Sequence, residues 1–168
     1  MQKLLIGKGS RTALPMDIDL KQHALEALEA AKDDLTRDGY LSPVALIVTN
    51  LGILDFNLDY EDEDQKASAY AKLVEVAREQ GGSAIITVND ARFGEPGTVD
   101  GYYPGKLEIE GAPECIYITV SGPAITTWSV TVPYVRRGKE IVFGNAVEAF
   151  DDSLNFLPGW PSGPQTVS

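Results

Sequence analysis

The chain has 168 residues, of which 43% are hydrophobic and 23% charged, a composition typical of one packed globular domain rather than a disordered or collagen-like chain. Its 25 Asp and Glu residues outnumber 14 Lys and Arg residues, so the formal net charge of −11 disfavours binding to phosphate backbones or anionic lipid surfaces. One Cys and one His leave no material for an internal disulfide or a His-rich metal site. We therefore predict no nucleic-acid partner, no membrane association, no metal and no cofactor.

The N-terminal residues carry no targeting pattern. The apolar run at residues 4–6 is shorter than the core of a signal peptide, and no stretch of the chain approaches the length of a membrane span. We therefore expect a cytoplasmic protein. The Gly-Lys-Gly-Ser sequence at residues 7–10 lacks the spacing of a phosphate-binding loop, and we interpret it as a turn.

The first predicted helix covers residues 19–38, where apolar residues recur at helical spacing and Gly39 follows as a terminator. A hairpin is predicted next, with strands at residues 43–49 and 53–60 joined by an Asn-Leu-Gly turn. The expected buried face of the helix is Leu20, Ala24, Leu28, Ala31 and Leu35. The second strand alternates, which places on one face Leu54, Phe56, Leu58 and Tyr60.

The second predicted helix covers residues 62–80, and a buried strand follows at residues 83–88. Residues 89–106 then break the pattern, because glycine, proline and aspartate surround three aromatic residues. A glycine-rich loop of this length inside a small domain is either functional or poorly ordered. The expected buried face of the second helix is Ala67, Tyr70, Ala71, Val74 and Ala77.

Three strands, at residues 115–120, 125–135 and 140–144, are predicted to close the domain. Because proline has no backbone N–H to donate, Pro133 predicts that the middle strand is an edge strand or contains a bulge. Residues 151–168 contain Trp160 and several prolines, and we expect them to form an extended tail.

The element order α-β-β-α-β-loop-β-β-β predicts an α+β fold in which two helices pack on an antiparallel sheet of about five strands. We assign residues 1–150 to a single domain and residues 151–168 to a Pro- and Gly-rich C-terminal tail. This order is similar to that of profilin-like and roadblock-type domains, which tend to be interaction or ligand-sensing modules. The similarity covers the order of elements alone.

The most distinctive local feature is the acidic segment, residues 55–64, which is followed by its first basic residue at Lys66. Its Asp-x-Asn-x-Asp start resembles a calcium-binding loop, but Tyr60 stands at the required glycine and Lys66 at the closing glutamate. The ordinary interpretation is a solvated sheet face that leads into a helix. The alternative is a surface for a basic partner, formed by Asp55, Asp59, Glu61, Asp62 and Glu63.

Two other features are candidates for binding. A ligand pocket is predicted between the sheet and residues 89–106, lined by Asp90, Asp100, Tyr102 and Tyr103. Trp160 either folds back over the edge of the core or docks into a partner, so we count it with the partner-binding residues. A homo-oligomer would form through the Pro133 edge strand or through the Trp160 tail.

Catalysis by a nucleophile would depend on the lone His23 together with Cys115, and no Gly-x-Ser-x-Gly sequence is present. Cys115 opens an apolar strand, where a buried inert thiol is usual. The favoured hypothesis is therefore a non-catalytic protein-interaction module that binds or neutralises a basic partner. The alternative is a small-molecule-binding protein or enzyme whose pocket lies under residues 89–106.

Overall fold

The computed structural model describes residues 3–6, 20–92 and 114–163. These residues form two helices and eight strands, which confirms the predicted α+β class with more strands than expected. In chain order the elements are β1 (Lys3–Ile6), α1 (Leu20–Asp38), β2 (Val44–Thr49), β3 (Gly52–Asp59), α2 (Glu63–Glu79), β4 (Ala84–Arg92), β5 (Glu114–Gly122), β6 (Ile125–Arg137), β7 (Glu140–Phe143) and β8 (Val147–Phe150).

The strands form one antiparallel sheet in the order β1-β3-β2-β4-β5-β6-β7, and β8 also pairs with β6. The hairpin β2–β3 and the strands β5 to β7 lie where the sequence predicts them. β4 begins as predicted but continues through Arg92, so the predicted loop at residues 89–106 is wrong for its first four residues, which pair with β5. The sequence analysis did not predict β1 or β8. Each has only four residues, which is too short for alternation to be distinguished from an irregular apolar run.

The strand that contains Pro133 is an interior strand, so the first of its two predicted alternatives, an edge strand, is wrong. The second, a bulge, is present in the ladder with β5, but between residues 125 and 128 rather than at Pro133. β5 pairs with one side of β6, while the other side is shared by β8 along Trp128–Thr131 and by β7 along Tyr134–Arg137. Pro133 lies between these two partners, where its missing N–H interrupts neither ladder, and its carbonyl accepts a hydrogen bond from Gly144 N at 2.7 Å. The edge expected to join two copies is therefore already occupied.

Helix α1 covers one face of the sheet. Its buried residues are those predicted, with Leu20 partly buried, and they pack against Ile86 of β4, Ile116 of β5 and Val130 of β6. This match is expected because the four apolar residues recur at helical spacing and so form a single stripe along one side of the helix.

Helix α2 covers the opposite face, where it packs against Ile47, Phe56 and Leu58. The predicted burial of Ala67 and Ala71 is wrong, since both are exposed. The observed buried residues are Ala69, Tyr70, Leu73, Val74 and Ala77. The helix turns to bury the Leu73 side chain, which removes more apolar surface from water than an alanine methyl group. Neither described helix is long and apolar enough to cross a membrane.

Residues 151–163, the C-terminal strap, fold back onto the α2 side of the sheet. After a short 3₁₀ turn at Asp152–Leu154, Leu157 and Trp160 enter the same apolar cluster as α2. The Trp160 Nε1 donates a hydrogen bond to the Ser121 carbonyl at 3.0 Å. Of the two alternatives for Trp160, the structure therefore has the one in which it folds back onto its own chain.

Candidate functional site

The acidic segment runs along β3 and into the start of α2. Asp55 is half-buried and Asp59 exposed, on the face of β3 opposite Phe56. The following carboxylates lie beyond the end of the strand and are all exposed: Glu61, Asp62, Glu63 and Asp64. The predicted partner-binding acids Asp59, Glu61, Asp62 and Glu63 thus follow one another from the end of β3 to the start of α2, while Asp55 lies further back on β3.

Part of this acidity serves the helix itself. Asp62 is the N-cap of α2, and its carboxylate accepts a hydrogen bond from Gln65 N at 2.8 Å. The Gln65 side chain accepts in return from Glu61 N at 2.9 Å. Such reciprocal bonds satisfy backbone donors that a helix start leaves free. Glu63 and Asp64 occupy the first turn, where the helix dipole favours negative charge.

The cap leads to a testable prediction. Asp62→Ala should destabilise the protein by about 1 kcal/mol, because the Gln65 N–H loses its partner. Asp64→Ala removes the same charge from the first turn of the helix and leaves the cap intact. We therefore expect its free energy of unfolding to fall by no more than about 0.5 kcal/mol. Urea unfolding of both variants measures the difference, and equal losses would contradict a capping role for Asp62.

Within the part of the chain that the structure describes, the carboxylates at the start of α2 have no cationic partner. No ion pair among the described residues includes Glu61, Asp62, Glu63 or Asp64. The nearby Lys66 lies over the Tyr60 ring, 6.0 Å from its centroid. Elsewhere on the described surface cations do pair with acids: Lys21 with Glu148, Lys32 with Glu29, Arg37 with Asp34 and Asp38, Lys72 with Glu75, and Arg136 with Glu114.

Asp59 and Asp55 have different surroundings. The backbone register sets Lys3 of β1 opposite Asp59, so this acid has a basic residue across the ladder. Burial raises the pKa of Asp55 above its ordinary value, because partial removal from water disfavours the charged form. At neutral pH the ionised Asp55 therefore opposes folding rather than supporting it.

The structure describes only one of the four predicted pocket residues. Asp90 lies two residues before the end of β4 and accepts a hydrogen bond from the Tyr134 hydroxyl at 2.8 Å, on the α1 face. Burial, and then the charge of Asp90, raise the pKa of Tyr134 far above its ordinary value. Asp100, Tyr102 and Tyr103 lie outside the described residues.

A neighbouring ion pair fixes the end of α1. The Arg136 guanidinium donates to both carboxylate oxygens of Glu114, at 2.9 and 3.3 Å, and to the Gly39 carbonyl at 2.8 Å. The guanidinium also lies over the Tyr134 ring, 5.7 Å from its centroid. Because these contacts tie β6 to β5 and to Gly39 at the end of α1, this cluster has a structural explanation.

The pairing considered for nucleophilic catalysis does not form. Cys115 is buried among Ala91, Tyr117 and Val147 on the face of the sheet opposite α1, which carries His23. Burial first, and the negative charge of Asp90 second, raise the pKa of the Cys115 thiol to about 12, so the thiol is protonated at neutral pH. Within the described residues, no group of three or more His, Cys, Asp or Glu side chains is arranged to hold a metal ion.

The sequence analysis did not predict a set of buried hydroxyl groups. They lie on the same side of the sheet as α2, on the part of that face that α2 does not cover. This hydroxyl face comprises Thr87 of β4, Thr119 and Ser121 of β5, and Thr127, Ser129 and Thr131 of β6. Its signal was present in the alternation of Thr127, Ser129 and Thr131 with Trp128, Val130 and Val132. Alternation alone predicts that the polar side of a strand faces water, whereas here it is buried.

Three of these six hydroxyls have identified partners. Thr87 and Thr119 share a hydrogen bond, and Ser129 bonds to the Tyr117 hydroxyl. At the border with α2, the Tyr70 hydroxyl donates to Asn89 Oδ1 at 2.9 Å. Ser121 Oγ and Thr127 Oγ1 are the exceptions among the described side chains, since both are buried and neither has a partner.

Comparisons with known proteins add no family to this description. No protein-family model, no curated protein and no solved structure matches the chain.

Proposed function

We propose that the protein is a non-catalytic, cytoplasmic protein-interaction module that binds a basic partner through the acidic segment. The observation that carries the proposal is the clustering of unpaired charge. Glu61, Glu63 and Asp64 are exposed without any cationic partner among the described residues and lie within four consecutive positions, whereas the exposed acids Asp33, Glu79 and Glu140, also outside the ion pairs, lie singly on separate elements. Unpaired carboxylates of this kind are free to meet the cations of another protein.

The net charge of the chain supports the same proposal. A charge of −11 attracts a basic protein over long range and speeds encounter, and this attraction weakens as salt screens it. The rim charges of an interface act mainly on the association rate and on salt dependence. The expected signature is therefore a binding that is sensitive to ionic strength and to the position of the acids.

Asp55 gives a separate, pH-dependent prediction. A folded-state pKa above the unfolded one means that ionised Asp55 destabilises the protein at pH 7, and that the penalty disappears as the pH falls below the ordinary value of 3.8. Asp55→Asn should therefore raise Tm by about 1–3 °C at pH 7 and leave it nearly unchanged near pH 3.5. Thermal unfolding at both pH values tests this, and a Tm that falls at pH 7 would contradict it.

The proposed function is tested by comparative capture from cell lysate. The triple variant Glu61→Gln/Glu63→Gln/Asp64→Asn removes three charges from the acidic segment and leaves the Asp62 cap in place. The matched control Asp33→Asn/Glu79→Gln/Glu140→Gln removes the same charge from exposed positions elsewhere. We expect a basic protein that the wild type and the control retain, that the triple variant loses, and that elutes as salt rises from about 0.05 to about 0.3 M.

Two results would contradict the proposal. One is capture of the same proteins by all three chains, since the acidic segment would then play no part. The other is the absence of any salt-sensitive basic protein from the wild-type sample. Thermal unfolding of all three chains in parallel shows that each is folded under the conditions of capture.

The alternative of a ligand pocket under residues 89–106 remains a prediction. Its one described member, Asp90, is already engaged by the Tyr134 hydroxyl. No described contact of Asp90 calls for a ligand, so we rank this alternative second.

A further inference from the structure

We propose that the irregularity between β5 and β6, beneath the C-terminal strap, is a binding site for a small uncharged molecule with adjacent hydroxyl or amide groups. The site lies on the α2 side of the sheet and shares no residue with the acidic segment. It is also separate from Asp90, whose side chain lies on the α1 side.

The site is built on a β-bulge. Val120 pairs with Trp128 and Gly122 with Ile125, so the single residue Ser121 on β5 faces two residues, 126 and 127, on β6. Every other described ladder keeps one register throughout. Bulges of this type redirect side chains and are common beside functional sites.

The backbone of the bulge is satisfied while its hydroxyl groups are not. Thr127 N donates to the Asp152 carboxylate at 3.0 Å, and the Thr127 carbonyl accepts from Asp151 N at 2.9 Å. Ser121 is 1% exposed and Thr127 is fully buried, yet neither Ser121 Oγ nor Thr127 Oγ1 has a hydrogen-bond partner among residues 3–6, 20–92 and 114–163. Buried polar groups without partners disfavour folding and are rare in native proteins, so a pair at one bulge indicates that something else occupies their hydrogen bonds.

The neighbouring groups define the chemistry of the occupant. Ile85 lies beside Ser121 in the ladder, and the other close members of this face are the neutral Thr119 and Ser129. The charged side chains that contact the strap are already bonded to backbone groups, Asp152 to Thr127 N and Arg78 to the Gly159 carbonyl. An anionic ligand would therefore lose its hydration and lie near the Asp152 carboxylate without gaining a counter-charge, whereas two hydroxyls that both donate and accept suit a polyol or an amide.

The strap connects the site to a measurable signal. Trp160 Nε1 donates to the carbonyl of Ser121 itself, and Gly163 N donates to the Ile125 carbonyl at 2.6 Å, so the strap is fastened to both strands of the bulge. A molecule that reaches the two hydroxyls must alter the surroundings of the Trp160 indole. The second tryptophan, Trp128, lies on the opposite face and donates to Glu148 instead, which makes it an internal reference.

The experiment follows the two indole N–H signals in ¹H–¹⁵N NMR spectra of the full chain during titration with glycerol, ribose, glucose, myo-inositol and acetamide. Acetate and sulfate serve as charged comparators. We expect at least one uncharged compound to shift the Trp160 signal with saturation and to leave the Trp128 signal in place. Ser121→Ala and Thr127→Val should each weaken that binding about tenfold, as expected when one hydrogen-bond partner is lost.

A matched control and a stability measurement complete the test. Thr126→Val removes an exposed hydroxyl from the same bulge and should change the affinity less than about twofold. Because Thr127 Oγ1 has no partner in the described part of the chain, Thr127→Val should keep or raise the Tm in the absence of ligand while it weakens binding. A structural role for the hydroxyl would instead lower the Tm.

Three results would overturn the proposal. The first is a Trp160 signal that none of the five uncharged compounds moves. The second is binding that Ser121→Ala and Thr127→Val leave undiminished. The third is a water molecule alone at the bulge, recognised by water cross-peaks to the Ser121 and Thr127 amides while the compounds remain silent. None of these three results concerns the acidic segment. Failure of the proposed binding site is therefore distinguishable from failure of the proposed function.

Discussion

Trp160→Ala is expected to destabilise the protein by about 3–5 kcal/mol, the usual cost of truncating a buried tryptophan. Trp160 is 6% exposed and packs with Leu157 and the α2 cluster. The substitution also removes the indole donor from the Ser121 carbonyl. The loss should be seen as a lower midpoint of urea unfolding, together with release of the C-terminal strap detected as faster proteolysis after residue 151.

An exposed aromatic residue provides the control for this prediction. Phe150 is 67% exposed, and Phe150→Ala should cost less than about 1.5 kcal/mol. If Trp160 docked into a neighbouring copy instead, the cost of Trp160→Ala would change with protein concentration. A loss below about 1 kcal/mol, or one that depends on concentration, would contradict the fold-back of the strap.

Gly122→Ala is the second substitution with a large expected effect, at least about 3 kcal/mol. A Cβ atom at this position would overlap the Ser83 carbonyl oxygen and lie 3.2 Å from Ala84 Cα. Both are backbone atoms at the start of β4, so no side chain can rotate away to make room. The methyl group must therefore push β4 and β5 apart beside the bulge.

Gly39→Ala separates this clash from ordinary glycine strain. Gly39 has φ +81° and no atom within 4 Å of its added Cβ, so its substitution should cost only about 1–2 kcal/mol of left-handed backbone strain. Chemical denaturation of both variants gives the comparison. Equal losses would show that the close approach of Gly122 to Ser83 is absent in solution.

The helices and the central strands could be predicted because their signals are local. The stripe of α1 identified every residue that it buries, and the Asn-Leu-Gly turn located the hairpin. The buried face of α2 could not be predicted, because the helix carries alanines on more than one side. Only tertiary packing decides that Leu73 is buried. The strand partners of β6 could not be predicted either, because no local pattern near Pro133 indicates that β7 and β8 pair with this strand.

The acidic segment and the hydroxyls at the bulge also differ in how far the sequence predicts them. The acidic segment is contiguous in sequence and was visible at once, although only the structure shows that Asp62 caps α2. The unpartnered hydroxyls come from strands that pair through a bulge, and their burial depends on a strap more than 20 residues further along the chain. No local pattern distinguishes such a face from an ordinary solvated one.

The association rate with the captured basic protein tests the central claim most directly. Stopped-flow measurements at about 0.05 M salt should show that the triple variant Glu61→Gln/Glu63→Gln/Asp64→Asn binds at least about tenfold more slowly than the wild type, and that the gap closes as salt rises. The equally charged control variant, altered at Asp33, Glu79 and Glu140, should stay within about threefold of the wild type. Equal slowing of both variants would show that net charge alone attracts the partner and that the acidic segment is not the docking surface.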